Sequence, residues 1–380
     1  MCEKESTKFP KLCKPPKDFF PVGIGLYLLC VVFFRLILYC QSPRFYGMMG
    51  DMDDHVRRAL FYTVLTEAKD GSETAVMPVF NEVAGMHLKP EKEFVECASR
   101  LSLSLKEMEP LIDNQYASFA KLDSAVRVIS WEDPEWPSQT FGTAYCPRFL
   151  YLHGDVSLLS RPMVSVIGTR KPDLAGKKLC VETVEALGAK GLVIASGLAL
   201  GIDGVAHMTA LRMGFPTVCV IGTPIDQYYP AEHQRLQNEI AGKGLVVSRF
   251  APSLPTQKWY FLVRNRLMSS LSIASVIVEE KDGGGAISQA EYSLEQGHRV
   301  CFYQSTLDNS AILWPRKLSE RDHVLVARTP VSLAKALAPQ ARQEHVRRKA
   351  APPVSRIVPP APPKRKRKES PVPSGQLSLF

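Results

Sequence analysis

The clearest pattern in the chain begins at Met163, where short apolar runs alternate with longer segments of helical periodicity. The apolar runs predict strands at Met163–Ile167, Leu192–Ala195, Thr217–Ile221, Leu245–Val247, Ser275–Val278 and Arg299–Phe302. The segments between them predict helices at Leu174–Lys190, Ile202–Met213, Glu232–Ala241, Lys258–Ser270 and Ile287–Gln296. Buried strands that alternate with helices are typical of a parallel, doubly wound sheet. We therefore expect an α/β domain over residues 121–338.

Residues 53–120 carry apolar side chains at helical spacing instead. Phe94, Cys97, Leu101 and Leu105 recur every three or four positions, which places them near one face of a helix. This segment is predicted to be a small N-terminal helical domain that packs against the rest of the chain or contacts a partner. A DNA-binding helix-turn-helix is the other interpretation, although no specific motif marks one.

Residues 1–52 form an N-terminal extension that contains an apolar run, Phe19–Tyr39, interrupted only by Arg35. The run is long enough to cross a bilayer. A single-pass anchor through residues 19–39 would, by its preceding lysines, place all later residues outside the cell. A cleaved signal peptide is the second interpretation, and a translation start at Met48, Met49 or Met52 is the third. We expect a cytoplasmic protein, with the membrane anchor as the alternative.

Residues 339–380 change in composition to Pro, Ala, Lys and Arg, with few large apolar side chains. Such a segment cannot bury enough surface to order itself, so we expect a disordered tail. It holds ten Lys and Arg against Glu344 and Glu369, a net charge of +8 of the +9 carried by the whole chain. The remaining residues sum to only +1, so overall basicity does not by itself indicate that the core binds nucleic acid.

Two glycine turns carry the candidate chemistry of the core. The ends of parallel strands meet at one edge of the sheet, where glycines let backbone N–H groups approach a phosphate. The residues predicted to bind it are Gly168, Thr169, Arg170, Lys171, Ser196, Gly197 and Gly201. The first turn lacks both the Gly-x-Gly-x-x-Gly of dinucleotide folds and the Gly-Lys-Ser/Thr of a P-loop, so ATP hydrolysis has no support.

The segment from Lys258 to Arg266 interleaves aromatic side chains with cations. Aromatic faces stack on bases and cations hold the backbone, so the segment suits single-stranded nucleic acid. The residues predicted to contact the strand are Lys258, Arg264, Asn265 and Arg266. An ordinary amphipathic helix with two exposed arginines is the alternative.

Asp203 and His207 could form an acid–base pair, but helix capping and hydrogen bonding explain them more simply. No catalytic constellation and no metal-binding spacing surrounds them. We therefore expect neither an enzyme nor a cofactor.

These motifs resemble the DNA-processing protein A (DprA/Smf) family from about Trp136 to Gln304. The resemblance rests on four stretches in order, which are Val166–Pro172, Ser196–Asp203 with Ala206-His207, Val220–Gly222 with Asp226 and Tyr229-Pro230, and Arg264–Arg266 with Leu271-Ser272. It implies an extended Rossmann-like fold that binds single-stranded DNA, dimerises, and hands incoming strands to a RecA-type recombinase during natural transformation. It also implies that Arg170 contacts a phosphate, that the Gly168 and Gly197 turns line a groove, and that Arg264 and Arg266 hold more of the strand.

The chain departs from the family pattern in several places. These are His233 in place of an asparagine, Ser248-Arg249, the stretch Gly283–Ala290, and Gln304-Ser305. A family-type C-terminal winged helix is not found, and the basic tail stands in its place.

The last five residues, Gln376–Phe380, are similar to the pentapeptide by which bacterial proteins dock on the DNA polymerase sliding clamp. An extended peptide with two apolar anchors and a terminal aromatic can enter a preformed pocket. The residues predicted to bind the clamp are Gln376, Leu377, Leu379 and Phe380.

Two further hypotheses stay open. One is a nucleotide-processing Rossmann enzyme of the LOG phosphoribohydrolase type, suggested by Gly283-Gly-Gly-Ala with Glu291. The other is a plain clamp-tethered adaptor, which would not bind DNA once the tail is removed.

Overall fold

The computed structural model describes residues 36–350 apart from residues 51, 142, 144 and 145. The described residues divide into two compact units, with the division between Tyr116 and Ala117. Most of the candidate membrane run, the pentapeptide and most of the tail lie outside the described residues. Within residues 36–350, no helix is both long and apolar enough to cross a membrane.

The first unit is helical, as the apolar spacing predicts. Its helices are α1 (Pro43–Met49), α2 (Asp54–Glu67), α3 (Glu73–Ala84), α4 (Pro90–Arg100) and α5 (Leu105–Phe119, which runs past the division). In its core the Phe61 ring stacks on Phe94 at 4.5 Å and on Phe45 at 6.0 Å between centroids. Phe45 and Met49 are buried, so residues 43–49, predicted as part of the N-terminal extension, contribute to the core of this unit.

The second unit is built on one nine-stranded sheet, in the order β1-β2-β6-β5-β4-β3-β7-β8-β9. Its strands are β1 (Val126–Ser130), β2 (Phe149–Gly154), β3 (Met163–Ile167), β4 (Val193–Ser196), β5 (Thr217–Val220), β6 (Leu245–Ser248), β7 (Ala274–Ile277), β8 (Arg299–Tyr303) and β9 (Val324–Ala327). Strands β3 to β9 pair in parallel, and β1 and β2 add an antiparallel edge. The predicted doubly wound, mostly parallel sheet is confirmed, with β1, β2 and β9 in addition.

Helices cover both faces of this sheet, as in doubly wound folds. They are α6 (Leu174–Gly188), α7 (Ile202–Arg212), α8 (Gln234–Lys243), α9 (Lys258–Leu271), α10 (Gly285–Glu295), α11 (Gln304–Leu307), α12 (Trp314–Ser319) and α13 (Pro330–Ala350). Helix α9 carries the chain from β6 back across the sheet to β7, which pairs with β3. Strand order therefore reverses between β3 and β7, and this switch point opens a crevice at the carboxyl ends of the strands.

The disordered tail was expected to begin at residue 339, and this boundary is wrong, because helix α13 continues through Pro339 to Ala350. Leu333, Leu337 and Ala341 recur every four residues and are buried in the core. Near the end of the helix the Arg348 guanidinium donates to the carbonyl oxygen of Arg161 at 2.8 Å. The buried side chains and the Arg348 hydrogen bond therefore hold residues 339–350 against the domain, despite their Pro, Ala and Arg composition.

Candidate nucleic-acid interface

Three glycine turns follow β3, β4 and β5 at the carboxyl edge of the sheet, at Gly168, Gly197 and Gly222. The first turn is fixed from both sides. The Thr169 N–H donates to the Glu279 carbonyl oxygen at 2.7 Å, and the Thr169 carbonyl accepts from the Ile202 N–H at 3.2 Å. The predicted turns thus come together as one surface.

Gly201 sets the distance between the first two turns. Its φ of +83° and ψ of −128° are a conformation that only glycine adopts readily. A Cβ at this position would lie 2.7 Å from the Arg170 Cα and would overlap the Thr169 carbonyl oxygen. The absence of a side chain therefore allows the Arg170 backbone to pack against the start of α7.

Arg170 and Lys171 are exposed at this edge. No described residue forms an ion pair or side-chain hydrogen bond with either cation. The Lys171 backbone N–H is held by the Thr169 hydroxyl at 3.3 Å, so the turn is ordered while its charges are unpaired. This is the arrangement expected of a surface that receives an anion.

Arg264, by contrast, lies beneath the second turn. Only 7% of the residue is exposed, and its guanidinium donates to the carbonyl oxygens of Gly197 and, at 2.8 Å, of Val220. A Cβ on Gly197 would overlap the guanidinium. The prediction that Arg264 contacts the strand is therefore corrected, because the residue is buried and its Nη1 donates to carbonyl oxygens of the protein itself.

Asp203 provides the counter-charge of Arg264. Burial raises the pKa of the Asp203 carboxyl, while the Arg264 charge and hydrogen bonds from the turn oppose that shift. One of these bonds comes from the Ala199 N–H at 3.3 Å. Asp203 and Arg264 together hold the Gly197 turn from inside the domain.

His207 and Ser196 are also interior residues. The Ser196 hydroxyl donates to the Val166 carbonyl oxygen at 2.7 Å, so its predicted contact with the strand is corrected as well. His207 Nδ1 lies 2.8 Å from the Thr217 hydroxyl, which itself donates to the Ile194 carbonyl oxygen. Burial lowers the pKa of His207 to about 3, which keeps the imidazole neutral. The structure therefore favours the hydrogen-bonding interpretation of Asp203 and His207 over acid–base chemistry.

His233 is a residue whose role the sequence did not indicate. Its Nδ1 donates to the Leu198 carbonyl oxygen at 2.9 Å. Leu198 has a φ of +62°, which is strained for a branched side chain. In the sequence, His233 was notable only because it replaces an asparagine of the family pattern. Its ring nitrogen stabilises the turn by donating to the Leu198 carbonyl oxygen.

Helix α9 brings further cationic and aromatic side chains to the same edge. Lys258 is exposed in its first turn. Phe261 contacts the Tyr229 ring at 5.1 Å and lies against Gly222. Asn265 and Arg266 lie further along the helix, and the Arg266 guanidinium covers the Tyr292 ring of α10 at 4.5 Å. Of the predicted α9 residues, Lys258 is exposed in the first turn of the helix, and Arg266 is directed to α10.

A doubly wound domain with glycine turns and unpaired cations at its carboxyl edge defines a class of phosphate-binding proteins. Residues 127–323 match the family of DNA recombination-mediator protein A. Because this match spans just over half of the 380 residues, the chain belongs to that family.

Individual relatives agree with this assignment. The chain is 28% identical over 254 residues to the DNA processing protein DprA of Bacillus subtilis, covering 66% of this chain and 82% of that protein. It is 38% identical over 154 residues to DprA of Streptococcus pneumoniae, covering 40% of this chain and 54% of the relative.

Two solved structures share the fold. The X-ray structure of the Streptococcus pneumoniae DprA has a TM-score of 0.53 at 25% identity, covering 77% of this chain and 98% of that chain. The Helicobacter pylori DprA, whose structure describes its single-stranded DNA binding mode, has a TM-score of 0.50 at 26% identity, covering 57% of this chain and 96% of that chain.

Proposed function

We propose that this protein binds single-stranded DNA along the carboxyl edge of the sheet and acts as a mediator of DNA uptake and recombination. One observation carries the proposal, namely that Arg170 and Lys171 stand exposed and unpaired among the described residues, at an ordered glycine turn. The single-stranded DNA binding mode described for the Helicobacter pylori relative supports it.

In this proposal the contacts fall into two kinds. Arg170, Lys171 and Lys258 neutralise phosphates, and the Gly168 and Gly197 turns let the backbone of the strand approach. Tyr229, which is 46% exposed, offers a face on which a base can stack. Every base has an aromatic face and every nucleotide a phosphate, so binding should be independent of sequence.

The test compares single- and double-stranded oligonucleotides by fluorescence anisotropy over a salt series. Each phosphate contact on a single strand contributes about 0.7 to the slope of log K against log salt. Arg170→Ala should lower the slope by about one such contact and weaken binding to all sequences alike. The control is Arg212→Ala, since Arg212 ends α7 at the opposite edge and is also exposed. Equal salt slopes for Arg170→Ala and the native protein would contradict the proposed contact between Arg170 and a DNA phosphate.

The LOG-type enzyme hypothesis loses the feature that suggested it. In the described residues, the Ala286 N–H that follows the glycines of residues 283–285 donates to the protein's own Glu280 at 3.1 Å. Glu291 pairs with Arg321 at 3.0 Å. We therefore propose a mediator without catalysis, and release of free base from nucleoside monophosphates would overturn that proposal.

The proposed partners follow from the family resemblance and the C-terminal residues. We propose a cytoplasmic homodimer that passes single strands to a RecA-type recombinase and docks on the sliding clamp through Gln376, Leu377, Leu379 and Phe380. A peptide of residues 372–380 titrated into purified clamp tests the docking, since a peptide with Leu379 and Phe380 both replaced by Ala should give no heat. Analytical ultracentrifugation tests the dimer, and strand exchange with added recombinase tests the hand-over.

A further inference from the structure

Two helices begin beside the switch point between β3 and β7, namely α6 and α10. In doubly wound folds this crevice is where ligands bind, and helix N-termini there attract phosphate through exposed N–H groups and the helix dipole. In this protein both helix starts are filled by carboxylates from the loop that follows β7.

Glu280 fills the start of α10. Its carboxylate accepts from the Lys281 N–H at 3.0 Å and from the Ala286 N–H at 3.1 Å. A Cβ on Gly284 would overlap this carboxylate, so the glycine allows the close fit. Glu280 is buried. The donors that would cradle a phosphate are thus satisfied by a fixed internal anion.

Glu279 and Asp173 fill the start of α6 in the same way. Asp173 caps the helix by accepting from the Gly176 N–H at 2.7 Å. Glu279 accepts from the Asp173 N–H at 3.3 Å, and its carboxylate lies where a Cβ of Gly176 would be. Two helix starts and three carboxylates therefore share one crevice, although the turn after β3 beside it carries the cations Arg170 and Lys171.

The charge on the two sides of the crevice differs in sign. Residues 279–282 carry three carboxylates and Lys281, a net charge of −2. On the other side, Arg170 and Lys171 are exposed, and α9 begins with Lys258, without a side-chain cap and without an acidic residue in its first turn. A strand that follows favourable potential therefore runs from the β3 turn towards β6.

We propose that Glu279 and Glu280 exclude phosphate from the switch-point crevice and confine single-stranded DNA to the β3–β6 half of the edge. The inference rests on the proposed function for the path of the strand, but the exclusion of phosphate stands on the contacts of the two carboxylates alone. Burial, together with neighbouring carboxylates, also raises the pKa of Glu279 and of Glu280, as expected of anions held close to one another.

The first arm of the test uses inorganic phosphate and no DNA. Glu280→Ala frees two N–H donors and vacates the space, so phosphate should raise the melting temperature of this variant by about 2 °C more than that of the native protein. Sodium chloride at equal ionic strength is the control for general salt effects. An equal response of variant and native protein would mean that Glu280 does not occupy an anion site.

The second arm measures binding of oligothymidines of about 6 and about 20 nucleotides. A Glu279→Gln/Glu280→Gln variant, which keeps the side-chain shape, should bind the longer strand about fivefold more tightly, because a like charge near a phosphate is removed. The short strand should bind as before. The matched control for net charge is Glu185→Gln/Glu295→Gln, which removes two carboxylates near the far ends of α6 and α10.

The outcomes distinguish a failure of the proposed function from a failure of the proposal that Glu279 and Glu280 exclude phosphate. Native protein that binds no single strand defeats the proposed function, while the phosphate arm still decides whether the carboxylates exclude anions. Native binding with no change in either arm overturns the inference alone. An equal gain from Glu185→Gln/Glu295→Gln would assign the effect to net charge and would also overturn the inference.

Discussion

The Arg264 guanidinium lies directly beneath Gly197 and donates a hydrogen bond to its carbonyl oxygen. The same nitrogen reaches the Val220 carbonyl, so one side chain joins the turn after β4 to the end of β5. Although Arg264 belongs to a cationic, aromatic segment, it stabilises the backbone of the turn and does not present its charge to solvent.

Arg264→Ala should destabilise the domain strongly. The variant leaves Asp203 buried without its counter-charge, which typically costs about 3–5 kcal/mol. Burial already raises the pKa of Asp203, so this carboxyl should take up a proton in the variant, and the loss should be smaller in mild acid than at neutral pH. Urea unfolding at both pH values measures this. Arg170→Ala, an exposed control, should change the free energy of unfolding by less than about 0.5 kcal/mol.

Gly201→Ala should impair both stability and strand binding. The methyl group meets the Arg170 backbone in a conformation that is strained for alanine, at a cost of at least about 1–3 kcal/mol. Gly214 is a matched control, because its φ is +69° but no atom lies within 4 Å of the position that a methyl group would take there. Gly214→Ala should therefore lose only about 1 kcal/mol and bind DNA normally. The same loss of affinity in both variants would contradict a specific role of the Gly201 contact.

His207 should make the protein less stable in mild acid. Its pKa is lowered to about 3, so between there and the unfolded value of about 6.5 the unfolded chain holds a proton that the folded chain excludes. The free energy of unfolding therefore falls as the pH decreases through this window, by at most about 1.4 kcal/mol per pH unit from this group. His207→Gln should show a shallower decrease between about pH 6.5 and pH 5. Parallel curves for the two proteins would rule His207 out as the source.

Tyr229 should contribute base stacking. Tyr229→Ala is expected to weaken single-strand binding by about 1 kcal/mol or more, roughly fivefold, without altering the salt slope. Trp259 is the comparison, because it is 54% exposed on the same edge but packs towards Phe250. Trp259→Ala should leave the affinity within about twofold. If Trp259→Ala proved the more damaging, the stacking face would belong to the start of α9.

The end of α13 should matter for stability. A chain ending at residue 338 loses Ala341 and the carbonyl contacts of Arg348, worth about 2 kcal/mol or more. For a domain of this size that corresponds to roughly 4–8 °C in melting temperature. A chain ending at residue 350 keeps these contacts and should melt with the full chain. Differential scanning calorimetry of the two truncations decides whether the boundary lies at 339 or after α13.

The sheet could be predicted because its central strands are short, apolar and local in pattern. Strands β1, β2 and β9 were missed. Strand β9 has only Ala327 buried, and the burial of β1 at the sheet edge does not alternate. Strand β2 is antiparallel to its neighbours and precedes the strand–helix alternation that begins at Met163. The glycine turns with Arg170 and Lys171 were also local features, and the structure brings them together. Such features are visible in sequence because each depends on a few consecutive residues.

The direction of interior side chains could not be predicted in the same way. Whether Arg264 faces solvent depends on the rotation of α9 against the sheet, and aromatics on several sides of the helix hide that rotation. Ser196 is the last residue of its strand, where burial is decided by the neighbouring β3 carbonyl it reaches. The Glu279 carboxylate at the switch point accepts from the N–H of Asp173, which lies 106 residues earlier in the chain.

The turn after β4 is held by Arg264, Asp203 and His233, each of which bonds a different one of its consecutive residues. The surface is therefore preorganised, because its backbone entropy is lost during folding and not on association. The backbone-ordering cost of complex formation then falls on the flexible DNA. Association should then follow a single concentration-dependent phase whose rate varies with ionic strength, without a slow conformational step in the protein.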